Sequence, residues 1–140
     1  MKKPSILLAD DNPAILTRVG DLLDVDDRYE IVAAVTNGAA ALHEYSRLKP
    51  DVVVLDISMQ VVSGIDVAQD LRDGGCNSKI VFLTVHEDFD FVNAAMGAGG
   101  SGYVLKSRLS TDLIPAINAV LSNKLFVSPS LLYARHQSLS

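Results

Sequence analysis

Five residues of this chain have side chains that could act together on a phosphoryl group. Asp10 and Asp11 follow the apolar run SILLA at 5–9, Asp56 follows VVVL at 52–55, Thr84 follows KIVFL at 79–83, and Lys106 follows GYVL at 102–105. Three carboxylates brought close together cannot all stay ionised unaided, because like charges raise one another's pKa. Either one holds a proton or a cation sits among them. An all-oxygen, carboxylate-rich and partly wet site suits a hard divalent ion, Mg2+ or in its place Mn2+. Mg2+ beside a lysine and a threonine is equipment for phosphoryl transfer. Metal and ammonium neutralise the phosphoryl oxygens while the hydroxyl donates to one of them. A central carboxylate can also be the nucleophile itself, giving an acyl phosphate.

Each of these residues also has an ordinary structural role open to it. Asp11 or Asn12 suffices to cap a helix that starts at Pro13. Asp56 can simply solvate a strand end, threonine is common in strands, and Lys106 alone reads as a surface lysine. Joint chemistry is favoured because all five fall at the same end of their strands.

The elements that would position them show as periodicity. Residues 5–9, 52–55 and 79–83 are apolar on both faces, as expected of a parallel sheet covered by helices on both sides. YEIVAAV at 29–35 and GYVL at 102–105 are further strands, supported by β-branched and aromatic content. Pro13 opens a helix carrying Ile15, Leu16, Val19, Leu22 and Leu23 at three-to-four spacing. A second helix covers 39–48 and stops at Lys49-Pro50, and a third covers 64–72 and ends at Gly74-Gly75. The last two cover 88–96 and 110–122. For the final one Ser110 and Asp112 supply a cap and a dipole-matched acid, with Pro115 in the first turn.

This alternation predicts an α/β fold, a flavodoxin-like (βα)5 doubly wound parallel sheet with strand order 2-1-3-4-5 in one domain. Strands one, three, four and five are then successive neighbours ~4.8 Å apart. Open sheets of this kind bind ligands at the carboxyl ends of their strands, where the five residues converge. Gly97 to Gly102 (GAGGSG) matches G-x-G-x-x-G by letter, but a helix precedes it and a strand follows. That inverts the dinucleotide-binding context, so the glycines read as a helix stop and a tight loop.

With 140 residues, 49% of them hydrophobic and 21% charged, the chain is globular rather than disordered. Twelve basic against 17 acidic residues give a net charge of −5, which argues against these residues clamping a nucleic-acid backbone. No apolar run approaches the ~18 residues of a membrane span. The run after Lys2-Lys3 is too short for a secretory signal. The single Cys76 cannot form an internal disulfide and suits a reducing compartment, so the expected location is cytoplasmic.

Taken in order and spacing, LLADDNP, VVVLDISM, FLTVHED and GAGGSGYVLKS resemble the receiver domain of bacterial two-component response regulators, over about residues 3–121. GYVLK and the later SNKLFVSPSLL further resemble the NarL/FixJ class, where a linker and a LuxR-type helix-turn-helix follow. The resemblance implies a receiver at 1–122 and, at 123–140, a linker stub toward an absent DNA-binding domain. It also implies that Asp56 is the phosphoacceptor, supplied by a sensor histidine kinase. Asp11, Asp56 and the backbone carbonyl of Ser58 would ligate Mg2+, with Asp10 holding a metal-bound water. Thr84 and Lys106 would bind the phosphoryl oxygens. Thr84 and Tyr103 would form a switch pair, the ring rotating inward as the hydroxyl is drawn to the phosphate.

Phe89, Phe91, Val92, Tyr103 and Val104 would lie around the fourth helix and fifth strand. Together with the fifth helix, that face is where many receivers hold a second copy or their own output domain. DNA would be reached only through the output domain, no membrane would be involved, and catalysis would be limited to the chain's own phosphotransfer and autodephosphorylation.

Departures from the family pattern fall at three modulating positions. Gln60 replaces the usual proline four residues after the phosphoacceptor, which should loosen that loop, although Gly64 keeps its length. Val85 is bulkier than the usual alanine or serine and would narrow access to the acyl phosphate. His86 would sit where it can influence an attacking water, or is merely a solvated loop histidine. The alternative reading is a pseudo-receiver, an interaction module not regulated by phosphorylation. A Mg2+ phosphohydrolase fits less well, since Ser58 stands where such enzymes place an acid/base aspartate and no cap domain can be accommodated.

Overall fold

The computed structural model describes residues 2–131. Its elements run β1 (Ser5–Ala9), α1 (Pro13–Asp26), β2 (Glu30–Val35), α2 (Gly38–Leu48), β3 (Val52–Asp56), α3 (Gly64–Asp73), β4 (Lys79–Thr84), α4 (Phe89–Gly97), β5 (Gly102–Leu105), α5 (Leu109–Leu121) and β6 (Phe126–Val127). A 3-10 turn at Lys106–Arg108 leads into α5. The strands form one parallel sheet in the order β2-β1-β3-β4-β5-β6.

The two-faced apolar runs explain the layers. Alternate residues of a strand point to opposite faces. Ile6, Leu8, Val52, Val54, Val81 and Leu83 therefore pack on Val19 and Leu23 of α1 and Leu113, Ile117 and Val120 of α5. Leu7, Ala9, Val53, Leu55 and Phe82 face the other way, onto Ala41 of α2, Val67 and Leu71 of α3, and Val92 and Ala95 of α4. A buried aliphatic side chain contributes about 1.5–3 kcal/mol. The central strands are therefore the most firmly held part of the molecule, and their carboxyl ends are a rigid platform. Among the described residues no helix is long and apolar enough to cross a membrane.

The doubly wound sheet with the order 2-1-3-4-5 is present, extended by β6 beside β5. Part of the segment after α5, expected to belong to no unit, is thus folded onto the sheet. Ser128 and Leu131 are buried there, whereas 132–140 lie outside the described residues.

Two details of α5 differ from expectation. Ser110 does not cap the helix, because the 3-10 turn runs directly into it and its N-cap position is Arg108, without a side-chain bond. Ser110 instead accepts a hydrogen bond from Arg18 of α1 at 3.1 Å. Pro115 lies inside the helix, in its second turn, since α5 already begins at Leu109. Asp112 does occupy the first turn, where it pairs with Arg108 at 3.0 Å.

The expected interaction face is also largely interior. Tyr103 and Val104 are completely buried, on opposite sides of the sheet, and Val92 is buried beneath α4. Phe89 is half-buried, and Phe91 is the member of that set open to solvent.

Candidate functional site

Each chemical side chain is placed by a strand end. β1 delivers Asp10 and Asp11, and Asn12 then caps α1 by accepting from the Ala14 amide at 3.0 Å. Neither aspartate is spent on that cap. Asp10 is buried, and its Oδ1 accepts from the Asn12 amide at 2.9 Å. β3 ends on the buried Asp56, whose Oδ1 accepts from the Ser58 amide at 3.1 Å. One carboxylate oxygen each from Asp10, Asp11 and Asp56 lies within 4.8 Å of the others.

Lys106, just beyond β5, reaches across the sheet end to this acidic group. Its Nζ is 2.9 Å from Asp10 Oδ2 and 3.2 Å from Asp56 Oδ1. Both Oδ2 atoms are buried; that of Asp10 has only the Lys106 ammonium beside it, and that of Asp56 has no partner among the described residues. Buried polar atoms are normally satisfied, so the bare Asp56 oxygen beside a second carboxylate marks a site built for something further.

The electrostatics follow from this packing. Burial, and next to it the Asp10 charge, push the Asp56 carboxyl above the usual carboxylate range, against the opposing pull of Lys106. Burial alone would lower Lys106, but its bond to Asp10 and the Asp56 charge outweigh that and hold it above its ordinary value. The site thus contains a firmly charged ammonium and a carboxylate that is costly to ionise. An all-oxygen donor set that includes one unpartnered buried oxygen, Asp56 Oδ2, fits a hard divalent cation. Asp11, less buried than the other two, completes it.

The other expected residues gather on the same rim. Thr84 is buried at the end of β4, and its hydroxyl accepts from the His86 amide at 2.9 Å. The ring of Tyr103 is already inward and fully buried, its hydroxyl donating to the His86 carbonyl at 3.3 Å. Burial raises its phenol above the ordinary value, while a hydrogen bond with Thr84 opposes the shift. Val85, next after Thr84, is 68% exposed. Ser58 is exposed, and so is Gln60.

Three features of the rim were not expected. His86 is not free in solvent: its Nε2 lies 2.9 Å from Ser58 Oγ, and its ring stacks on Phe91 at 3.9 Å with an interplanar angle of 2°. The signal was present, since Ser58 and His86 each stand two residues past a strand-end site residue. Secondly, an added Cβ on Gly64 would lie 2.0 Å from the Asp56 carbonyl oxygen, so the start of α3 rests directly on the phosphoacceptor-candidate backbone. Thirdly, the Gln60 loop contains a tight turn. The Val62 amide donates to the Gln60 carbonyl at 2.8 Å, around a fully exposed Val61 with φ 70°. A β-branched residue is strained there.

Known proteins place this arrangement. Residues 6–118 match the response regulator receiver domain. The transcriptional regulatory protein YvfU of Bacillus subtilis is 36% identical over 128 residues, which cover 91% of this chain and 64% of that protein. The nitrate/nitrite response regulator protein NarP of Escherichia coli is 34% identical over 135 residues, covering 96% of this chain and 63% of that protein. The chain therefore spans somewhat under two-thirds of the length of these relatives. A LuxR-family two-component response regulator from Aurantimonas superposes with a TM-score of 0.91 at 29% identity, over 98% of this chain and 99% of that one. The signal receiver domain of a NarL response regulator from Mycobacterium tuberculosis gives 0.84 at 25% identity, over 89% and 100%. With its acidic strand-end cluster and these relatives, the chain belongs to the response regulator receiver domains, within their NarL/LuxR class.

Proposed function

We propose that this receiver accepts a phosphoryl group on Asp56 from a sensor histidine kinase, in a Mg2+-dependent reaction, and so switches a transcriptional output. The supporting observation is the buried Asp56 Oδ2, without a hydrogen-bond partner and framed by Asp10, Asp11 and Lys106. Asp11, Asp56 and the Ser58 carbonyl would hold the ion, with Asp10 beside them. When bound, Mg2+ would supply positive charge to the phosphoryl oxygens.

This chain's own groups do the rest. An Asp56 oxygen attacks phosphorus as the bond from phosphorus to the kinase imidazole nitrogen breaks, and the electron pair leaves on that nitrogen. Lys106, firmly protonated, neutralises a phosphoryl oxygen, and the Thr84 hydroxyl donates to another. Tyr103 follows Thr84 as the second half of the switch. Val85, next after Thr84, restricts access. His86, held by Ser58 and Phe91, is assigned an influence on the water that attacks the acyl phosphate. Receiver domains are signalling modules rather than ordinary enzymes, and the only catalysis proposed is this self-phosphorylation and its reversal by water.

Because the transcriptional regulatory relatives are longer than the matched receiver, we assign the protein a DNA-binding output joined through the segment after α5, with the whole acting in the cytoplasm. The second copy or output domain would be held near α4, β5 and α5. The test is incubation with Mg2+ and acetyl phosphate or a kinase, followed by mass measurement. An acid-stable, base-labile phosphoryl adduct that Asp56→Asn abolishes is the expected result. No adduct with any donor would leave the pseudo-receiver as the better reading.

A further inference from the structure

The segment after α5 is joined to the switch tyrosine itself. In the parallel pairing of β5 with β6, Tyr103 stands in register with Val127. The Ser128 amide donates to the Tyr103 carbonyl at 2.9 Å, and the Leu105 amide donates to Ser128 Oγ at 3.0 Å. Ser128 is completely buried in making these bonds. Side chains in register on neighbouring strands share a face. Val127 therefore lies on one side of the Tyr103 ring and Phe82 of β4 on the other, with Leu131 in the same core cluster. Above them Val92 and Met96 of α4, with Leu125, Val127 and Leu131, line a small cavity of about 230 Å³.

The inward ring and the docked segment depend on each other. If the ring leaves, Val127 and Leu131 lose the wall they pack against. If the segment leaves, the ring loses its cover on that side. At its other end the ring is tied to the loop that begins at Thr84, through the bond from its hydroxyl to the His86 carbonyl. Coupled states of this kind are reciprocal, so whatever favours one favours the other by the same factor.

We infer that residues 125–131 are the arm through which the Asp56 site acts. A phosphoryl group on Asp56 draws Thr84 and its loop inward, holds Tyr103 in the buried position and tightens the arm on β5. Loss of the group loosens it. The inference rests on Asp56 being the phosphoacceptor.

Amide exchange on the whole 140-residue chain with Mg2+, with and without beryllofluoride as the phosphoryl mimic, tests it. Exchange at the Leu105 and Ser128 amides is expected to slow at least about 5-fold with beryllofluoride, the lower end of the usual range between coupled sites. By reciprocity, Val127→Asp, which expels the arm without touching the acidic site, is expected to bind beryllofluoride about 5-fold more weakly. Should that variant not fold, Val127→Ala must weaken binding in the same direction. Unchanged exchange at both amides while beryllofluoride is bound, or unchanged affinity in the folded variant, overturns the inference and leaves the phosphoacceptor reading standing. If beryllofluoride does not bind the wild-type chain at all, both readings fall together.

Discussion

At the scale of single residues, the Asp56 carboxylate is held where ionisation is disfavoured. Its folded pKa lies above the unfolded one, so the unfolded chain gives up this proton first as pH rises. Stability is therefore lost as pH climbs from the ordinary carboxylate value to the raised folded value. Asp56→Asn removes that cost and is expected to raise the Tm by a few degrees at neutral pH, with the gain shrinking to nothing below about pH 4. Thermal melts across pH check this, and a gain independent of pH would refute it. Lys106 is the counterpart. Lys106→Met leaves Asp10 and Asp56 facing each other unpaired and is expected to cost about 3 kcal/mol, less in an Asp56→Asn background where one charge is already gone. Denaturant titration of the four-member cycle measures that difference. Val85 is mostly exposed, so Val85→Ala is expected to leave stability within about 0.5 kcal/mol. Its phosphorylation by acetyl phosphate should be faster, and an equal rate would remove Val85 as a gate.

At the scale of elements, the loop between β3 and α3 sets the phosphoacceptor's geometry. Gly64→Ala forces a methyl group into the Asp56 carbonyl, so α3 must shift, at an expected cost of about 3 kcal/mol. Val61→Gly acts oppositely, relieving positive-φ strain for a gain of about 1 kcal/mol, read as a higher denaturation midpoint. The sequence made β1, β3 and β4 legible because runs such as VVVL, apolar on both faces, have few other uses. The convergence of Asp10, Asp56, Thr84 and Lys106 was legible for the same reason: strand ends in a doubly wound sheet share one edge. β6 was not, because two residues carry no periodicity and Leu125 before them is exposed. Its place is set by backbone bonds at Ser128, which no side-chain pattern announces. The Val61 turn was likewise hidden, since valine is the wrong residue for it and only tertiary structure imposes it.

At the scale of the whole molecule, part of the −5 net charge is concentrated in one acidic cluster. A divalent cation that binds the folded chain but not the unfolded one stabilises it by mass action, about 1.4 kcal/mol at ten times its Kd. Mg2+ is therefore expected to raise the Tm in a saturable way, and Asp11→Asn is expected to abolish most of that rise while the melt without metal stays the same. A Tm indifferent to Mg2+ would count against the metal site.

The sixth strand has a further consequence, for solubility. An apolar strand left unpaired at the rim of a sheet is a template on which another chain can add. β5, with its GYVL sequence wholly buried, would be such a rim if β6 were absent. β6 is instead two residues long, with the exposed Lys124 shortly before it and the exposed Pro129 shortly after, features that discourage strand addition. A chain ending at residue 122 would keep every side chain of the acidic site yet present β5 bare. It is expected to associate and scatter light at concentrations where the chain carrying β6 stays monodisperse.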